Sequence, residues 1–211
     1  LSTLIKVPRQ DTPTNIEQRA AQQLKAGDGA GALRSYAALL HAVAAEHSPR
    51  ECGLRISLLE AARLRFVWQA DEPRLDALAD SLLTRLEQPA AGAECTERAV
   101  ALLLELSTAQ HRAEHPLLSK ARLDKLTARY QRLLKLPLQS EPATQLRYLL
   151  AEAQDLRGNY CAAAPSYDTV VAETRDESTK RSAAGQAVQA WQQCLYPAWD
   201  ESFERLRFLT E

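Results

Sequence analysis

Gly27-Asp28, Ala32, Tyr36 and Leu39-Leu40 recur as Gly158-Asn159, Ala163, Tyr167 and Val170-Val171, an offset of 131 residues. In each copy a small turn follows an apolar-periodic segment. A second segment then opens, with Ala five residues after the Gly and Tyr four residues later. The spacing predicts two antiparallel helices joined by a tight turn, the Gly taking a left-handed conformation at the end of the first. The small Ala lets the second helix approach closely, and Tyr fills the space one turn further on.

The rest of the chain agrees with a helical reading. Its 211 residues are rich in Leu and Ala, with only 7 Gly and 6% aromatics. No sustained apolar-polar alternation marks a strand, so an all-α protein is expected. With 26 basic and 27 acidic residues the net charge is −1, which gives no global field to recruit nucleic acid or anionic lipid. No apolar run approaches the roughly 20 residues needed to span a bilayer. The chain begins at Leu1 and contains no Met. This suggests a processed or trimmed piece, from which any targeting segment would have been removed.

Residues 1–12 predict an arm or linker. Helix one opens near Thr14, with capping-box spacing to Glu17, and helix two fills 30–46. Ser48-Pro49 opens a third helix to about Ala70, and Asp71 with Pro73 opens a fourth, ending before Pro89. A fifth spans 94–112 and is broken by Pro116, and a sixth spans 117–136 up to Pro137. Ser140 with Pro142 opens a seventh to Arg157. An eighth, a ninth and a tenth follow at 160–174, 177–195 and 198–210. Pro165 lies inside the eighth and predicts a kink unless helical geometry starts only near Ala162.

Three strings look chemical and have plainer readings. His111-Arg112-Ala113-Glu114-His115 matches the H-x-x-E-H zinc pattern, with two His at i and i+4 and Glu114 as base. Pro116 follows at once, so solvated residues at a helix C-terminus are the expected role, and a metal-dependent enzyme using His111, Glu114 and His115 is the alternative. Gly27-Asp28-Gly29-Ala30-Gly31 looks like a phosphate cradle, but no strand precedes it and no Lys-Ser/Thr pair follows. Arg122, Lys125, Arg129 and Arg132 give the sixth helix one basic face, expected to be solvated. With no nucleophile elbow and no activated cysteine setting, no enzymatic activity, cofactor or metal is expected.

The repeated hairpin resembles the tetratricopeptide repeat, whose period is 34 residues. A unit of that length around the second copy runs over 144–177 and the next over 178–211. Gly185 then stands at the place of Ala151, where that family keeps small residues because helices cross there. The likeness covers 13–46 and 144–177, and in part 178–211, where no Gly follows Trp191 and Pro197 replaces Ala. Residues 47–143 show the helical pattern alone, as two stretched hairpins. The resemblance implies a right-handed α-solenoid of about five hairpins over 13–211, a scaffold that binds a protein or peptide within a larger complex. A purely architectural module for docking neighbouring domains or for oligomerisation is the other reading.

In that family the first helices of the hairpins line a concave groove. Carried onto this chain, the groove would hold Glu17 and Ala21, Arg55 and Arg63, Gln145, Tyr148, Glu152 and Asp155, and Ser182, Gln186 and Gln189. Members that grip chaperone carboxylate tails use Asn and Lys on successive first helices. Here Asn occurs only as Asn15 and Asn159, so that partner is not implied.

The same stacked topology places Cys52 and Cys95 at the same level of neighbouring first helices, and Cys161 beside Cys194 at adjoining helix ends. Four cysteines allow three pairings, and 52–95 with 161–194 fits the stacking best. Two such bridges imply an extracytoplasmic protein, periplasmic or secreted. Four half-buried thiols in a cytoplasmic solenoid are the alternative.

Overall fold

The computed structural model describes residues 12–43, 49–65, 72–88, 92–114 and 119–195. The expected tenth helix at 198–210, the arm at 1–12 apart from Thr12, and His115 lie outside the described residues. Among the described residues there are nine α-helices and no strand. They are α1 (Pro13–Lys25), α2 (Gly29–Val43), α3 (Pro49–Arg65), α4 (Glu72–Leu86) and α5 (Ala93–Glu114), then α6 (Lys120–Leu133), α7 (Ser140–Leu156), α8 (Tyr160–Glu173) and α9 (Glu177–Leu195). The protein is all-α, and helices that follow one another in sequence pack together: α1 on α2, α2 on α3, α3 on α4, α6 on α7, α7 on α8 and α8 on α9. Two compact units result, Leu1–Leu102 and Leu103–Glu211, with the boundary inside α5.

The helix starts correct the sequence reading at α1 and agree with it at α7, which opens at Ser140. Thr12, not Thr14, caps α1: its backbone is extended and its hydroxyl accepts the Asn15 N–H at 3.3 Å, with Pro13 in the first turn. Thr14 is already helical, so no capping box forms there. At α7 the cap position is Gln139, and Ser140 is helical, its carbonyl accepting the Thr144 hydroxyl at 2.9 Å.

The two predicted hairpin turns are the same turn. Gly27 and Gly158 have φ of 78° and 82°. Gly27 N–H donates to Leu24 O and Asp28 N–H to Gln23 O, and Gly158 and Asn159 make the matching bonds to Asp155 O and Gln154 O. These bonds satisfy carbonyls that a helix end otherwise leaves open. Behind the turns, Ala20, Ala32, Tyr36 and Leu39 are buried in unit 1, and Ala151, Ala163, Tyr167 and Val170 are buried in unit 2. A polar clasp repeats as well: the Ser35 hydroxyl donates to Gln23 Oε1 at 3.1 Å, and the Ser166 hydroxyl to Gln154 Oε1 at 3.5 Å.

The glycines after the first turn serve packing. A Cβ on Gly29 would sit 2.9 Å from Ala61 O and from Arg65 N, because the start of α2 abuts the backbone of α3. Gly29→Ala should therefore lower stability by about 1–3 kcal/mol, the usual range for forced overpacking. Thermal unfolding checks this, and a neutral change would refute the close approach. Gly185 departs from expectation. It is exposed, and a Cβ there would meet no described atom within 4 Å. Close approach of α9 to α8 rests instead on Ala183, Ala187 and Ala190.

Pro165 does not break α8, which is helical from Tyr160. Its missing N–H would have met Cys161 O, in the first turn of the helix. The Ser166 and Thr169 hydroxyls donate to the carbonyls of Ala162 and Pro165.

Candidate functional site

The helices that carry most of the expected groove, α7 and α9, both pack on α8 in unit 2. Tyr148 Oη lies 2.9 Å from Ser182 Oγ, a pair separated by 34 residues, so equivalent positions of α7 and α9 touch. The Tyr148 ring stands edge-on to Tyr167, with centroids 5.8 Å apart at 69°. Tyr148 is half-buried against the unit 2 core, which makes it a joint between α7, α8 and α9.

Glu152 and Asp155 continue the same face one and two turns along α7. Both are half-buried, as is Gln186, whereas Gln145, Ser182 and Gln189 are exposed. Burial pushes the Tyr148 phenol up, the Ser182 hydrogen bond opposes this, and Glu152 adds to the rise. Tyr167 is pushed up by burial first and then by Asp155 and Glu152. The Asp155 carboxyl is raised by burial. The face thus carries two half-buried carboxylates beside a partly exposed aromatic ring. Among the described residues it offers no activated nucleophile.

Of the remaining expected groove positions, all in unit 1, Glu17 and Arg55 are already engaged. Glu17 pairs with Arg50 at 3.1 Å, linking α1 to α3. Arg55 is bound by Glu51 at 2.7 and 3.0 Å and by the Ser81 hydroxyl, so it is a structural cross-brace and not an open groove residue. Arg63 and Ala21 are half-buried.

Two solvated faces of the sequence reading are corrected. His111 is 2% exposed: its Nδ1 lies 3.3 Å from Tyr130 Oη and the two rings stack. Tyr130 Oη also donates to Ser107 O at 3.3 Å. No group of three or more His, Cys, Asp or Glu among the described residues could hold a metal ion. His115 and the side chain of Glu114 lie outside them. Arg122 and Arg129 of the basic stripe are 6% and 3% exposed, and Arg129 Nη1 donates to Gln110 Oε1 at 3.0 Å. Only Lys125 of the four is fully on the surface, with Arg132 half-buried.

The cysteines pair as expected, Cys52 with Cys95 and Cys161 with Cys194, at Cα separations of 6.3 and 4.8 Å. No described helix is long and apolar enough to cross a membrane. No protein-family model matches the sequence, and comparison with curated proteins gives no match.

Proposed function

We propose that this protein is a tetratricopeptide-like, right-handed solenoid of about five hairpins that binds a protein or peptide segment and serves as a scaffold in a larger complex. The binding face in unit 2 is formed by Gln145, Tyr148, Glu152 and Asp155 of α7 with Ser182, Gln186 and Gln189 of α9. The observation that carries this reading is the Tyr148–Ser182 contact across a 34-residue separation, which supports a repeat of that length between α7 and α9. Rigid helices fix those side chains before a partner arrives, which lowers the ordering cost of binding. The two disulfides support assignment to an oxidising, extracytoplasmic compartment.

Asp155 supplies the test. Its folded pKa is raised above the ordinary 3.8, so its charge works against folding at neutral pH. Asp155→Asn should raise the Tm at pH 7, and the advantage should fade as the pH falls through the folded pKa toward 3.8 and below, where wild type is neutral as well. The same variant should lose at least about tenfold of the partner captured in a pulldown, since it removes a charged acceptor from the proposed face. Undiminished capture would remove Asp155 from the site. A variant less stable at neutral pH would show that the carboxylate is structural.

A further inference from the structure

The two disulfides differ in access. Cys52 is 0% exposed within α3, and its partner Cys95 is half-buried at the start of α5. Cys161 is exposed in the first turn of α8, and Cys194 is half-buried in the last turn of α9. Exchange requires a thiolate to reach a sulfur atom, so access selects the bond that reacts. What holds α8 to α9 lies elsewhere. Ala163, Ala164, Tyr167 and Val170 meet Ala183, Ala187 and Ala190, all before Cys194, and Trp191 Nε1–H donates to Asp168 Oδ2 at 2.9 Å. Opening the Cys161–Cys194 bond therefore leaves this packed interface in place and, among the described residues, releases the last turn of α9.

We propose that Cys161–Cys194 is a thiol–disulfide exchange site for a dithiol reductant, opened and closed in the folded protein, whereas Cys52–Cys95 is a permanent cross-link. One thiolate of the dithiol attacks Cys161 Sγ. The S–S bond breaks with its electron pair on Cys194 Sγ, which takes up a proton. The second thiol of the reductant, as its thiolate, then attacks the reductant sulfur of the mixed disulfide, and Cys161 leaves as a thiolate. Two electrons pass to the protein, and the dithiol becomes a cyclic disulfide. Cys161 is the second residue of α8, where N-terminal N–H groups and the helix dipole stabilise the departing thiolate. Cys194 sits at the opposite, electronegative end of its helix, so Cys161 is also the thiolate that leads reoxidation.

The test uses the purified oxidised protein in native buffer with graded dithiothreitol, alkylation quenching, peptide mapping and hydrogen exchange. The Cys161–Cys194 bond should open at least about tenfold faster than Cys52–Cys95, at a rate proportional to dithiol thiolate. Amides at 192–195 should then lose protection while those at 183–191 keep it. Equal or reversed rates, a rate independent of dithiol, or loss of protection across 183–191 would each overturn the proposal. A Cys161→Ser, Cys194→Ser variant should reproduce the exchange pattern of the reduced protein, and a different pattern would count against local release.

Discussion

Glu51→Ala should destabilise unit 1 by about 3–5 kcal/mol, the range for breaking one side of a buried ion pair. Glu51 is 1% and Arg85 2% exposed, and Oε2 of the first lies 3.1 Å from Nε of the second. Oε1 of the same carboxylate accepts from Arg55 Nε and Nη2 on the next turn of α3. One carboxylate thus neutralises a guanidinium from its own helix and another from α4. Its removal takes the Oε2 acceptor from the buried Arg85 guanidinium, and weakening the pairing of a desolvated charge costs more than the lost packing. A Glu51→Leu, Arg85→Leu variant should recover most of the loss, because replacing a whole buried pair with apolar side chains is close to neutral. Urea unfolding followed by hydrogen exchange in α3 and α4 separates unit 1 from unit 2, which need not unfold together. A Glu51→Ala cost below about 1 kcal/mol would place this pair with weak surface bridges instead.

That ion pair was invisible in the sequence, and the reason is instructive. Helix positions follow from local signals, so Gly27, Gly158, the Ala-Tyr spacings and the cysteine pairing could all be read from spacing and hairpin topology. Burial of a charge depends on what other helices bring. Arg122 and Arg129 flank Leu123 and Tyr130 on α6, at the edges of an apolar stripe that alone would be wide enough for a surface helix. Gln110 from α5 supplies an acceptor for Arg129, and the buried face widens to take in both arginines. Long apolar stems make this possible, since Arg buries its methylenes as readily as Leu. His111 was misread for the same reason: only Tyr130, nineteen residues away, turns a helix-end histidine into a buried one. In the candidate site, the residue types of α7 were legible through the repeat register. The raised carboxyl of Asp155 and the packing role of Tyr148 were not, because both depend on how closely α8 approaches.

Removing the Cys52–Cys95 bridge should lower the stability of unit 1 by about 4 kcal/mol in the chain-entropy model, given the 43-residue separation it spans. The 33-residue span of Cys161–Cys194 gives nearly the same figure, so the contrast between the bonds is kinetic and comes from access to sulfur. A sealed bond can be reduced only through opening of the structure around it. In that case its reduction rate reports the population of the open state, and each 1.4 kcal/mol of destabilisation multiplies the rate about tenfold. Glu51 is the residue next to Cys52, in the same turn of α3. Glu51→Ala should therefore speed dithiothreitol reduction of Cys52–Cys95 by about two to four powers of ten and leave that of Cys161–Cys194 unchanged. Because the two groups act at one helix start, their stability effects should not add in a Glu51→Ala, Cys52→Ser, Cys95→Ser variant. A Cys52–Cys95 reduction rate that is unmoved by Glu51→Ala, measured alongside a confirmed loss of stability, would mean that the bond is reached without opening α3.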